Sequence, residues 1–300
     1  MTTRPGGIVC PLATPLDHDE RLDRAGLVQL IDRVLPYVDG IFLLGSSSEY
    51  PLLRDEVAAE VVEVAIDHIA GVVPVYIGVG DTSTARAVDR LPKAAESGAN
   101  YAVALSGFYH SVPVQSALER HFLQIAESSR LPVILYNIPQ NTANALTPQT
   151  VVSLAEHPNI VGIKDSSGDM ISFSGFLGAQ SPSFSVMQGR EHLAAASMWL
   201  GADGVISALG NLTPNLLQRL AMAVRQGERV AALELQREVE TVAQVFAQGH
   251  WLSALKVSLG VLGIGSGQIV SPQPALTDDQ YSAVLGILKK VGLLSEAGHG

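Results

Sequence analysis

Eight short runs rich in Val, Ile and Leu recur along the chain, most of them followed by a longer stretch with apolar residues at helical spacing. The runs are GGIVCPL, DGIFLLG, VPVYIGVG, NYAVALS, LPVILYN, NIVGIKD, FSVMQG and DGVISALG. Helical patterns between them include Arg54 to Ala70, Thr82 to Ser97, Pro113 to Ser129 and Glu191 to Leu200. Because the runs are continuously apolar rather than alternating, they read as parallel strands covered on both faces. Eight such units predict an α/β fold, a closed (β/α)8 TIM barrel. No glycine-rich dinucleotide fingerprint follows the first run, which argues against an open doubly wound sheet. Beyond the eighth unit, helical patterns over 228–248, 251–263 and 277–293, broken by Gly260, Gly263, Gly265 and the SPQP turn at 271–274, predict a C-terminal three-helix extension. The expected division is a catalytic barrel over 1–227 and a helical extension over 228–300.

Composition narrows the function. A hydrophobic content of 47% in 300 residues is enough to bury a large core. The net charge is -10 and Lys and Arg form no cluster, so neither a nucleic-acid nor an anionic-membrane partner is expected. The N-terminal MTTRPGGIVCPLATPL lacks the pattern of an export leader, and no segment approaches ~20 uninterrupted apolar residues, so a cytoplasmic protein is expected. Cys10 is the single cysteine, which rules out an intramolecular disulfide and suits a reducing compartment. None of the eight histidines has metal-ligand spacing, so no metal is expected.

In a barrel of this kind active sites form at the C-terminal ends of the strands. Those ends are polar here: GSSSEY, SGFYH, YNIPQNT, KDSSGD and QGRE follow the second, fourth, fifth, sixth and seventh runs. Of the five lysines, Lys93, Lys256, Lys289 and Lys290 fall on helical patterns where a solvated head is the ordinary outcome, and only Lys164 ends a strand. Strand alternation places Ile160, Gly162 and Lys164 on one face, with Gly162 leaving room beneath the lysine. It also turns Asp165 to the opposite face, a poor ion-pair partner. An ammonium is expensive to bury, whereas a neutral amine is the nucleophile of Schiff-base chemistry. Lys164 is therefore expected to form a covalent imine with a 2-keto acid, an electron sink that lets a carbon-carbon bond break or form through an enamine. Tyr136, at the end of the neighbouring run, is either its proton shuttle or a rim tyrosine with a satisfied hydroxyl. Ser46 and Ser47, after Gly45, are either a seat for the substrate carboxylate or an ordinary turn.

GSSSEYPLL, YNIPQNT and GIKDSSGD, at this spacing and with a helical extension, resemble the dihydrodipicolinate synthase and N-acetylneuraminate lyase superfamily of class I pyruvate aldolases. The resemblance implies Lys164 as the Schiff-base lysine, Tyr136 as proton relay, and Ser46 and Ser47 at the pyruvyl carboxylate, with no cofactor besides the imine. It also implies Gly189 and Ile206 as main-chain carbonyls facing substrate. Tyr109 matches a second tyrosine that reaches a neighbouring subunit's site, which implies a homodimer or homotetramer. Where the synthases carry an arginine that grips the second substrate's carboxylate, this chain has Asn141, and Ser48 stands where the family mostly has glycine. Arg190 either replaces that arginine or is a solvated residue at a helix start, and Glu191 is equally open. Glu49, which follows the serine turn as a general base would, reads instead as a residue that holds the turn or caps neighbouring N–H groups. The motifs resemble most the 4-hydroxy-2-oxoglutarate and 2-keto-3-deoxy sugar acid aldolases. The expected activity is a pyruvate-dependent lyase acting on a 4-hydroxy-2-keto acid. Its alternatives are synthase-like condensation of pyruvate with an aldehyde, keto-acid dehydration, and a keto-acid-binding sensor without turnover.

Overall fold

The eight apolar runs are the eight strands of a computed structural model that describes residues 4–295. They are β1 (Gly7–Pro11), β2 (Gly40–Leu43), β3 (Val75–Gly78), β4 (Tyr101–Leu105), β5 (Val133–Asn137), β6 (Ile160–Asp165), β7 (Ser185–Gln188) and β8 (Gly204–Ile206). In sequence order they close into a barrel. Every residue of β1, β2, β3, β5, β7 and β8 is buried, which is why these segments read as unbroken apolar runs. Side chains from successive strands, among them Phe42, Tyr76, Tyr101, Ile134, Tyr136 and Met187, fill the interior as one cluster. The barrel is therefore a packed core and not a pore.

The helices lie where the periodicity puts them, at Asp55–Ile69, Thr84–Glu96 and Gln115–Ser128. Ser83, Thr147, Asp169 and Thr277 each accept a bond from a first-turn N–H of the helix they precede. The stretch expected from Glu191 to Leu200 is a 3-10 turn, Glu191–Leu193, running into a short helix, Ala194–Trp199. Three helices follow residue 228, at Arg229–Ala243, Trp251–Val261 and Asp278–Lys290, and the last opens with a capping box between Thr277 and Gln280. The chain divides into two compact units, one of Met1–Val9, Asp39–Leu43 and Gly71–Ser207, the other of Cys10–Val38, Leu44–Ala70 and Ala208–Gly300. No helix among the described residues is long and apolar enough to cross a membrane.

Strict alternation along β6 fails at its start. Val133 pairs with Ile160 but Ile134 pairs with Gly162, so the register skips Val161, which packs against the barrel interior. This is a β-bulge. Ile160 therefore shares the outward face of Val133, whereas Gly162 and Lys164 share the inward face of Ile134 and Tyr136. The expectation that Ile160 and Lys164 lie on one face is corrected accordingly. Gly162 also serves a purpose other than the expected one: a Cβ there would lie 2.8 Å from the Ser185 carbonyl oxygen, so the glycine admits the backbone of β7.

Just beyond β3, the buried carboxylate of Asp81 accepts bonds from Arg86 Nε at 2.7 Å, Arg90 Nε at 2.8 Å and its neighbour Thr82 N at 2.7 Å. Both arginines belong to Thr84–Glu96, so the carboxylate ties that helix to the strand end. Burial alone would raise the Asp81 pKa, but the bonds from Arg86, Thr82 and Arg90 outweigh it and lower the value from 3.8 to about 2. The folded value lies below the unfolded one, so the stabilisation is fully present above pH 3.8 and is lost as pH falls toward about 2. Between those limits the melting temperature of the wild-type chain should fall more steeply with acid than that of Asp81→Asn. Parallel acid limbs for the two proteins would show that this carboxylate contributes no pH-dependent stability.

Candidate active site

Register brings the lysine and the tyrosine together. Tyr136 and Lys164 are direct partners across β5 and β6, and Lys164 faces Met187 across β6 and β7. The Lys164 Nζ lies over the Tyr136 ring, 4.0 Å from its centroid, and 5.2 Å from that of Phe42. The side chain is buried, and among the described residues it makes no ion pair and no hydrogen bond. Asp165 is no partner, as alternation anticipates: its carboxylate accepts from Asn137 Nδ2 at 2.7 Å and from Ser167 Oγ at 2.9 Å. Burial raises the Asp165 pKa, against the lowering effect of those bonds.

In the second unit, Ser46–Ser48 form a 3-10 turn bracketed by two left-handed non-glycine residues, Leu44 and Glu49, with φ of 54° and 59°. Such backbone persists only where its surroundings hold it. Ser47 is buried and Ser46 half-buried, and neither hydroxyl has a partner among the described residues. Ser48 behaves differently: its Oγ donates to Leu12 O at 2.6 Å, so it anchors the turn. Glu49 is fully buried and paired at 2.6 Å with Lys256. This corrects the expectation of a solvated head for Lys256, whose side chain is 2% exposed and also donates to the Thr14 carbonyl. Burial lowers the Lys256 pKa, and Glu49 offsets part of that effect. The signal was available, since Lys256 is the only charged residue of Trp251–Val261 and a helix apolar on all sides is a buried helix.

The remaining candidates occupy strand ends of the first unit. Gly189 follows β7 and donates its N–H to Asp165 O at 2.6 Å; a Cβ there would collide with the Ser166 hydroxyl. Ile206 is buried in the interior cluster. Asn141 lies exposed on the short helix Pro139–Thr142, its side chain without a partner among the described residues. Arg190 is half-buried and donates Nε to Ser166 O at 2.9 Å, an oxygen that also accepts from Gln140 Nε2 at 2.8 Å. Its terminal nitrogens have no partner among the described residues. Glu191 is buried and accepts from Ser207 Oγ at 2.9 Å. Tyr109 is not gathered with the others: it is 86% exposed at φ 79°, its ring edge-on to His110. Sequence reasoning missed Asn144, whose buried amide donates to Gly107 O at 2.6 Å and accepts from Val112 N at 2.5 Å, fastening the loop that carries Tyr109. No group of three or more potential metal-binding side chains occurs among the described residues.

The sequence matches the dihydrodipicolinate synthetase family over residues 4–291. The chain belongs to this family. It is 32% identical over 291 residues to a 4-hydroxy-tetrahydrodipicolinate synthase of Dechloromonas aromatica, covering 96% of this chain and 99% of that one. It is 34% identical over 289 residues to a DapA-like lyase of Halobacterium salinarum, covering 96% and 94% of the two chains. Among solved structures, YagE of E. coli K12, a prophage protein of the same family captured with pyruvate, superposes with a TM-score of 0.91 at 31% identity, covering 96% of this chain and 99% of YagE. Members of the dihydrodipicolinate synthetase family are carbon-carbon lyases that work through a Schiff base on a lysine, without a metal or external cofactor. The protein is a pyruvate-dependent lyase of that family.

Proposed function

We propose that Lys164 forms the Schiff base and that the substrate is a 4-hydroxy-2-keto acid. The observation that carries this reading is a buried lysine at a strand end, against the ring of Tyr136 and without any carboxylate partner among the described residues. The amine attacks the C2 carbonyl, and the carbinolamine loses water to give the iminium. The C3–C4 bond then breaks as its electron pair enters the iminium to form an enamine, while the C4 hydroxyl loses its proton and becomes the carbonyl of the departing aldehyde. Protonation at C3 and hydrolysis release pyruvate and restore the amine. Tyr136 carries protons to and from the carbinolamine oxygen and the C4 hydroxyl, Ser46 and Ser47 seat the pyruvyl carboxylate, and the main-chain carbonyls of Gly189 and Ile206 face the substrate.

Borohydride reduction in the presence of pyruvate should leave a single adduct, on Lys164 and not on the equally buried Lys256. An adduct elsewhere, or none, overturns the assignment. Lys164→Arg should be inactive yet folded, since a guanidinium forms no imine. Tyr136→Phe should lose about two to four orders of magnitude in turnover, the usual scale of general acid-base catalysis. An unchanged rate would place the relay elsewhere.

The substrate's tail rests on Asn141 and Arg190. Asn141 offers no cation, whereas Arg190 is held through Nε with its terminal nitrogens unpartnered among the described residues. That arrangement supports Arg190 as the group that meets a carboxylate on the aldehyde half, so 4-hydroxy-2-oxoglutarate is the favoured substrate. The names of relatives such as the Dechloromonas aromatica synthase support a second reading, condensation of pyruvate with an aldehyde like aspartate semialdehyde. Arg190→Ala should raise the KM for 4-hydroxy-2-oxoglutarate about tenfold or more, the scale of one charge-assisted bond, and leave that for an uncharged analogue unchanged. Equal changes in both would make Arg190 a surface residue and shift the assignment to a neutral-tailed sugar acid. Faster turnover with aspartate semialdehyde would favour the second reading.

The same reading assigns the barrel chemistry to 1–227 and a helical extension to 228–300, in a cytoplasmic homodimer or homotetramer. The exposure and left-handed backbone of Tyr109 support its insertion into a neighbouring subunit's site. Mixing Lys164→Arg and Tyr109→Phe subunits should then restore part of the activity, because one hybrid site carries both intact residues. No recovery after verified subunit exchange would remove Tyr109 from the mechanism across subunits.

A further inference from the structure

Four segments of the second unit converge behind the serine turn. Glu49 closes the turn by donating its N–H to Ser46 O at 3.1 Å. Its carboxylate then divides its two oxygens between distant parts of the chain: Oε1 accepts from Lys256 Nζ at 2.6 Å, and Oε2 accepts from Val270 N at 2.8 Å. Lys256 also donates to the Thr14 carbonyl, and Thr14 in turn donates Oγ1 to Ser48 O at 3.0 Å. The Ser48 hydroxyl, bonded to Leu12 O, completes the ring of contacts. Glu49 cannot turn without breaking bonds to both the helix Trp251–Val261 and the segment at Val270.

Two features are out of proportion to a merely stabilising role. Buried ion pairs stabilise no better than well-packed apolar side chains of the same volume, so an ion pair used only for stability is a poor choice. Glu49 also holds a left-handed φ of 59°, which a glycine would adopt without strain, so the glutamate is present for its side chain. What the side chain does is fix the orientation of the residue that ends the Ser46–Ser48 turn.

We propose that the Glu49–Lys256 pair is a positioning device for the carboxylate seat, holding the Ser46 and Ser47 hydroxyls in place from the C-terminal helix Trp251–Val261. The proposal rests on the reading that these serines receive the pyruvyl carboxylate. Glu49 and Lys256 are positioning residues, and neither touches substrate. The pair acts on binding, which pyruvate-dependent borohydride trapping reads directly through the pyruvate concentration that half-saturates adduct formation.

The test compares Glu49→Gln, Lys256→Met and the double variant with wild type, each measured for melting temperature and for half-saturating pyruvate. The single variants should melt lower, because each leaves a buried group without its partner. The double variant should regain most of the lost melting temperature while its half-saturating pyruvate stays raised about tenfold, with the trapping rate at saturation within about threefold of wild type, the pattern of lost ground-state binding. Recovery of both quantities in the double variant would overturn the proposal and leave the pair a structural one, and the double variant decides the matter even if a single variant fails to fold. Ser46→Ala and Ser47→Ala separate the two levels of the argument. If the serine variants raise half-saturating pyruvate and the double variant does not, the positioning role alone is wrong. Should the serine variants leave it unchanged, the seat itself is misassigned and the proposal falls with it.

Discussion

Register between β5 and β6 is the constraint on which the placement of Lys164 depends. Side chains on a strand alternate faces, so a slip of one residue sends every side chain beyond it to the other side. Ile160 stands outward beside Val133, and alternation without interruption would carry Lys164 outward as well. The bulge at Val161 adds one residue to β6 and reverses the faces beyond it, so that Lys164 meets Tyr136 and Met187 inside the barrel. The same step turns Asp165 away, into bonds with Asn137 and Ser167. Alternation separates the amine from the carboxylate next to it in sequence, and the one extra residue decides that the amine is the one that faces inward.

Two buried lysines show how differently this chain treats an ammonium. Removing one from water costs several kcal/mol even after relaxation, and a partner recovers that cost only with good geometry. Lys256 has that geometry, with Glu49 at 2.6 Å and the Thr14 carbonyl as a second acceptor. Lys164 has aromatic faces instead, 4.0 Å and 5.2 Å away. Contacts of this kind contribute roughly 0.5 to 2 kcal/mol, too little to offset the burial of a charge. The ion pair accounts for the position of Lys256, whereas Lys164 has no comparable partner among the described residues, which is what supports a reactive role for it.

The legible parts of the sequence were those governed by local pattern. Strands covered on both faces leave unbroken apolar runs, so all eight were visible, and Lys164 stood out as the lysine that ends one of them. Asp165 could be set aside from alternation alone. The bulge could not be seen, because Val161 is as apolar as the residues around it and nothing local distinguishes a skipped residue from a paired one. Lys256 was misread because a single lysine on a helix is ordinarily solvated, and its partner Glu49 lies 207 residues away. Asn144 was missed for a similar reason: its amide secures backbone groups of the Tyr109 loop more than thirty residues earlier, at Gly107 and Val112. Contacts of long sequence separation are what local patterns do not encode.

On the proposed reading the cation that meets the substrate's tail stands at the end of β7 and not of β5, and this would change more than its location. Asn141 sits exposed on a helix of four residues, Pro139–Thr142, and can offer a tail only neutral hydrogen bonds of about 0.5 to 1.5 kcal/mol each. Arg190 is half-buried, and the bond from Nε to the Ser166 carbonyl fixes the guanidinium plane, so its terminal N–H groups lose little further freedom when they meet an acceptor. Charge-assisted bonds from such a group contribute about 1.5 to 3 kcal/mol each. Because Ser166 lies two residues beyond Lys164, the proposed reading references the cation to the same strand end as the amine, and the separation of imine carbon and tail would be set along one segment. A tail would then be selected by its length as well as its charge, since a carboxylate one carbon nearer or farther would meet the fixed guanidinium out of alignment.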